Sequence, residues 1–150
     1  MEDRCAIALD GGDAPGEEEA FSQLRKLLGD ALRERAYAGC DLFYAALRAP
    51  LEIEAAETAL ALREEIPFLR LVAVCAEGAG GSPELCARRE AVEARADGAV
   101  SFAGANARDQ TGRFLLERCG SAILISAGPS SGALTAQAEA LGRDVTLIFL

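Results

Sequence analysis

The sequence predicts an α/β fold: a doubly wound, mostly parallel sheet of about six strands with helices on both faces. Two observations carry this. Apolar runs and amphipathic runs alternate along the whole chain. The apolar runs are continuous rather than alternating in and out, the pattern of strands covered on both faces.

The elements follow in order. "CAIALD" (Cys5–Asp10) reads as a buried strand that ends in the loop "GGDAPG". In "EEEAFSQLRKLLGDALRERAY", Phe21, Leu24, Leu28, Ala31, Leu32 and Arg35 recur at helical spacing. Acidic residues lead that helix and basic residues close it, as its dipole favours. "CDLFYAA" (Cys40–Ala46) is the second strand. A helix starts at Pro50, with Ile53, Ala56 and Leu60 on one face, and Pro67 stops it. "LRLVAVCA" (Leu69–Ala76) is the third strand, and "EGAGGSP" follows it. Pro83 begins a helix to about Ala96, and "GAVSFA" (Gly98–Ala103) is the fourth strand. Asp109 is placed as the cap of a helix through Arg118. "SAILISA" (Ser121–Ala127) is the fifth strand and "DVTLIFL" (Asp144–Leu150) the sixth. The helix between them puts Leu134, Ala138 and Leu141 toward the sheet.

At 150 residues, with 51% hydrophobic and 26% charged residues, the chain is expected to form one domain over 1–150. No apolar run approaches the roughly 20 residues that cross a bilayer. Glu2 and Asp3 follow Met1 with no basic leader, so the expectation is cytoplasmic. A net charge of −9 argues against nucleic acid and against anionic membranes as partners. The five cysteines are odd in number, scattered and without a CxxC pair, and read as small buried hydrophobes. The absence of histidine excludes Ser-His-Asp and Cys-His catalysis and removes the commonest zinc ligand. Neither a metal nor a cofactor is expected.

The functional question sits in the bend Gly128-Pro129-Ser130-Ser131-Gly132, between the fifth strand and a helix. Helix-start N–H groups and the helix dipole receive anions there, and the serine hydroxyls add donors. The same residues also read as a serine cap with glycines for backbone freedom. The bend is neither a Walker loop nor a GxGxxG, and no lysine follows Gly132. The first loop, with Gly11 and Gly12, and "EGAGGSP" lie at the same edge, so three glycine-rich loops frame one cleft. Asp10, Asp13 and Glu17–Glu19 would repel phosphate near the first loop, and Asp10 with Asp13 is also a pair that a divalent cation could use. Arg113 is a bidentate partner for an oxyanion. It is equally a helix-surface residue paired with Asp109 or Glu117 four positions away.

"YAGCDLFYAALRAPLEIEAAETALALREEIPFLRLVAVCA" and "RFLLERCGSAILISAGPSSGALTAQAEALG" resemble the corresponding parts of YpsA-like proteins. That family belongs to the SLOG superfamily, with the DprA-type and LOG-type Rossmann-like domains. The resemblance implies a Rossmann-like sheet and a nucleotide-derived ligand in a cleft. It matches Arg113 to an arginine that opens a helix, Glu57 to an Ala-Ala-Glu position, and Gly128, Ser130, Ser131 and Gly132 to a glycine-rich turn. Ala133 stands where the LOG-type turn has threonine, and Ala136 and Gln137 occupy the region of its catalytic glutamate. Without that glutamate, an oxocarbenium-like ribosyl transition state lacks its stabilising carboxylate. The expectation is therefore a binder of a small nucleotide-like or phosphorylated ligand, with Gly11, Gly12, Arg113, Gly128, Ser130, Ser131 and Gly132 at the site. The alternatives are a LOG-like nucleoside monophosphate phosphoribohydrolase and a ligand-free structural domain. A homo-oligomer is expected from the superfamily and from the hydrophobicity of so short a chain.

Overall fold

The computed structural model describes residues 4–10, 18–77, 81–126 and 132–150. In chain order the elements are β1 (Arg4–Leu9), α1 (Glu18–Tyr37), β2 (Leu42–Ala46), α2 (Pro50–Ala61) with a 3-10 turn (Leu62–Glu64), β3 (Arg70–Ala76) and α3 (Pro83–Arg95). They continue with β4 (Gly98–Phe102), α4 (Ala107–Arg118), β5 (Ser121–Ser126), α5 (Ala133–Ala140) and β6 (Asp144–Phe149). The six strands form one sheet in the order β4-β3-β2-β1-β5-β6, and every pairing is parallel. The architecture is Rossmann-like, as predicted, with β1 inside the sheet. Ile7 of β1 stands beside Ala45 of β2 and Ile123 of β5.

The period of two along each strand sorts side chains into two layers. Cys5, Ile7 and Leu9 of β1 join Phe43, Leu71 and Ile123 under α1, α2 and α3. Ala6 and Ala8 turn to the other face, with Ala46, Ala122 and Leu124, under α4 and α5. The second face is richer in alanine. Helix α2 is flanked by α1 and α3 and also lies on the sheet, so it is buried nearly all round. That is why Glu52 and Glu54 are buried together with Leu51, Ile53 and Ala56. Pro50 and Pro83 each occupy the first turn of a helix, where a missing N–H costs nothing. Ser82 caps α3 by accepting a hydrogen bond from the Leu85 N–H at 3.2 Å.

Two helix details differ from expectation. Helix α4 begins at Ala107 rather than at Asp109, with Asn106 at its cap position and no side-chain cap bond. Asp109 lies in its first turn, where the dipole favours an acid. Leu141 does not face the sheet and is 46% exposed, because α5 ends at Ala140 and Gly142 turns the chain with a φ of 71° toward β6. Ala138 is fully buried and Leu134 packs beside the same core, as predicted. Among the described residues no helix is long and apolar enough to cross a membrane.

Candidate functional site

The strand order reverses between β1 and β5. Strands two to four step away on one side of β1, and the chain then returns to add β5 and β6 on the other. At such a reversal the connections leave on opposite faces of the sheet and open a crevice at the carboxyl ends of the strands. A cleft of about 400 Å³ lies there, lined by Asp10, Arg48, Arg108, Asp109, Gly112, Arg113, Ala133, Leu134 and Gln137.

Its floor is the end of β1. The Asp10 N–H donates to the Ile125 carbonyl at 2.8 Å, extending the pairing with β5 by one residue. The carboxylate, on a residue only 2% exposed, accepts from the Leu134 N–H at 3.0 Å and the Thr135 N–H at 3.1 Å. The Thr135 hydroxyl donates to it as well. The residue that follows β1 thus caps α5, whose own cap position is Gly132 in the left-handed region at a φ of 64°. Glycine is suited there because it has no Cβ to strain.

One wall is built on a buried ion pair. Arg48 follows β2, and Glu52 lies one helical turn on in α2. The Arg48 guanidinium meets the Glu52 carboxylate at 2.7 Å. Glu52 also accepts from the Leu9 N–H at 2.9 Å and the Arg48 N–H at 2.7 Å. Arg48 donates onward to the Leu9 carbonyl at 3.2 Å and the Arg108 carbonyl at 3.4 Å. One side chain therefore ties the end of β1 to the start of α4. Burial works against the charge on Arg48, but Glu52, with Asp109 and Asp10 farther off, holds its pKa above the ordinary guanidinium value.

The other wall is α4. A Cβ on Gly112 would meet Leu134 Cδ2 at 2.9 Å and Arg48 Nη1 at 3.6 Å, so glycine is what lets α4 approach α5 and Arg48 here. Arg108 and Arg113 are exposed on this helix and line the cleft. Among the described residues neither guanidinium makes an ion pair or a hydrogen bond, and Arg113 is paired with neither Asp109 nor Glu117.

Of the residues singled out from sequence, Arg113 lies in the cleft, although in the second turn of α4 rather than opening it. Gly132 immediately precedes the lining residues Ala133 and Leu134. Gly11, Gly12, Gly128, Ser130 and Ser131 lie outside the described residues, as does Asp13. Glu57 points to Arg88 on α3 and is not part of the lining. Asp10 is committed to α5 through both carboxylate oxygens. Sequence reasoning missed Arg48, Arg108 and Gly112. The signal for Arg48 was a cation directly after a buried strand, with an acid one turn on inside an otherwise apolar helix.

A second hollow, about 440 Å³, opens at the amino ends of the strands beside Arg35, Gly39, Cys40 and Asp144. Its arginine is already matched: Arg35 meets Asp144 at 2.7 Å and donates to Thr146 Oγ1 at 2.7 Å. Four of the cysteines are buried and Cys86 is partly so, and all five are free thiols. Burial is the main cause that pushes Cys5, Cys75 and Cys119 up to about 12, with Glu93, which accepts from the Cys75 thiol at 3.1 Å, adding to it for Cys75. Among the described residues no group of three or more cysteine, aspartate or glutamate side chains is arranged to hold a metal ion.

No family model matches the chain, and no curated protein matches it.

Proposed function

We propose that the chain binds a small anionic ligand, phosphorylated or nucleotide-derived, in the cleft between β1 and β5. The observation that carries this reading is the pair of guanidinium groups, Arg108 and Arg113, that are unmatched among the described residues, on one wall of a cleft at the topological switch point. Guanidinium groups give charge-assisted, bidentate contacts to oxyanions, and a chain of net charge −9 offers few other places that attract one. The resemblance to YpsA-like proteins supports the same class of ligand. Ala136 and Gln137 occupy the region of the LOG-type glutamate, and of the two Gln137 lines the cleft, so an amide is present there and no carboxylate charge. That favours binding over glycosidic cleavage.

The test is a thermal-shift screen with inorganic phosphate, pyrophosphate, nucleoside monophosphates and sugar phosphates, followed by calorimetry on the best ligand. Arg113→Ala is expected to weaken that ligand by roughly ten- to a hundred-fold while leaving the fold intact. Release of free adenine from AMP would establish the phosphoribohydrolase alternative instead. If nothing stabilises the protein, or if Arg113→Ala binds with wild-type affinity, the reading fails.

A further inference from the structure

The start of α5 faces the cleft, and a helix start is an ordinary receptor for an oxyanion. Here its N–H groups at Leu134 and Thr135 are already donated to the Asp10 carboxylate, and the Thr135 hydroxyl is donated with them. Asp10 is held by the sheet itself, through its N–H to the Ile125 carbonyl. An incoming phosphate would have to displace a buried, intramolecular anion with three donors, and would meet its negative charge on approach. Across the cleft, Arg108 and Arg113 carry no such internal partner among the described residues.

We infer that Asp10 is the specificity-determining residue of the cleft: it fills the anion position at the start of α5 and so directs a ligand's anionic group to Arg108 and Arg113 on α4. This rests on the reading that the cleft binds an anionic ligand. It favours a terminal phosphate, whose several free oxygens suit two guanidinium groups. It disfavours the bridging pyrophosphate that dinucleotide sites lay along a helix start.

The probe is inorganic phosphate at low ionic strength, followed by nuclear magnetic resonance on the intact chain. In the wild type, phosphate is expected to shift the side-chain N–H signals of Arg108 and Arg113 and to leave the backbone amides of Leu134 and Thr135 in place. In Asp10→Ala those two amides should now respond, and phosphate affinity should rise by about ten-fold as vacated charge-assisted donors become available. Wild-type shifts at Leu134 and Thr135 with silent arginines would overturn the inference. So would an Asp10→Ala protein that folds and gains nothing. If Asp10→Ala does not fold, the wild-type titration decides alone, and silence at both arginines there sinks the two-arginine subsite. If phosphate moves nothing in the wild type but occupies α5 in Asp10→Ala, the ligand-binding reading fails while the blocking role of Asp10 stands.

Discussion

Four arginines on the α1–α2–α3 side of the sheet, Arg25, Arg33, Arg63 and Arg88, are spent on carboxylates, whereas the two on α4 that line the cleft meet none among the described residues. Arg88 reaches across from α3 to Glu54 and Glu57 of α2, and Arg25 of α1 meets the same Glu54. Arg33 joins Glu65 at 2.7 Å, and Arg63 joins Asp97. These pairs bridge neighbouring elements and serve the fold. Among the described residues the guanidinium groups of Arg108 and Arg113 bridge nothing, yet they line one cleft with Asp10 and Arg48. The difference separates charge used to hold the structure from charge held by the structure for something else.

The buried thiols are the place to break the structure hardest. Cys5 and Cys75 lie within the layer under α1, α2 and α3, and Cys119 lies on the opposite one. Each thiol is held up to about 12, against an ordinary value of 9.0, chiefly by burial. A thiol is neutral when protonated, so the unfolded chain loses these protons first as alkali is added. The stability they carry is complete below pH 9 and is lost between pH 9 and 12. The denaturation midpoint should therefore fall steeply above pH 9, and Cys86 should react with a thiol reagent at neutral pH well before the other four. A midpoint independent of pH up to 11 would mean that these thiols are not sealed in the core.

The next effect lies where the two regions meet. Glu52→Ala removes the partner of a guanidinium that is only 12% exposed and orphans the Leu9 N–H. The expected loss is about 3–5 kcal/mol by chemical denaturation, which is a large part of the stability of a small domain. A loss below about 1 kcal/mol would show that Arg48 is held by packing alone. Gly112→Val is milder, because the first clash is with the tip of the Leu134 side chain. It should cost about 1–3 kcal/mol and narrow the cleft, so ligand affinity should fall further than stability does.

The sheet and its helices were legible because burial on both faces writes itself as unbroken apolar runs, and "SAILIS" or "RLVAVCA" admits few other readings. Arg113 was legible as a candidate because guanidinium chemistry is specific to oxyanions. The rest of the site was not, because its contacts are distant in sequence. Nothing local to Asp10 announces that its carboxylate will cap a helix 124 residues away. Nothing local to Glu52 marks it as buried, and the presence of α1 and α3 on either side of α2 buries it. The helix-start signal at Asp109 failed for a related reason. An acid in the first turn and an acid at the cap are both favoured by the dipole, so its presence does not fix the boundary.

The smallest expected effect is also the one that sharpens the comparison most. Arg88→Gln removes a guanidinium shared by two carboxylates and leaves Glu54 and Glu57 of α2 facing each other less well compensated. Partial exposure screens those charges, so the loss should be about 0.5–1 kcal/mol. Arg113→Gln removes a guanidinium with no partner among the described residues, in a cleft that also holds Arg48 and Arg108. Its removal breaks no ion pair among the described residues, and the charges around it, Arg48 and Arg108 against Asp10 and Asp109, are balanced in sign. The stability of Arg113→Gln should therefore stay within about 0.5 kcal/mol of wild type at either salt. Paired denaturation curves for the two variants, at low and at high ionic strength, measure the contrast directly. If Arg113→Gln is destabilised as much as Arg88→Gln, then Arg113 is another structural cation, and the cleft loses the feature that marks it as a site.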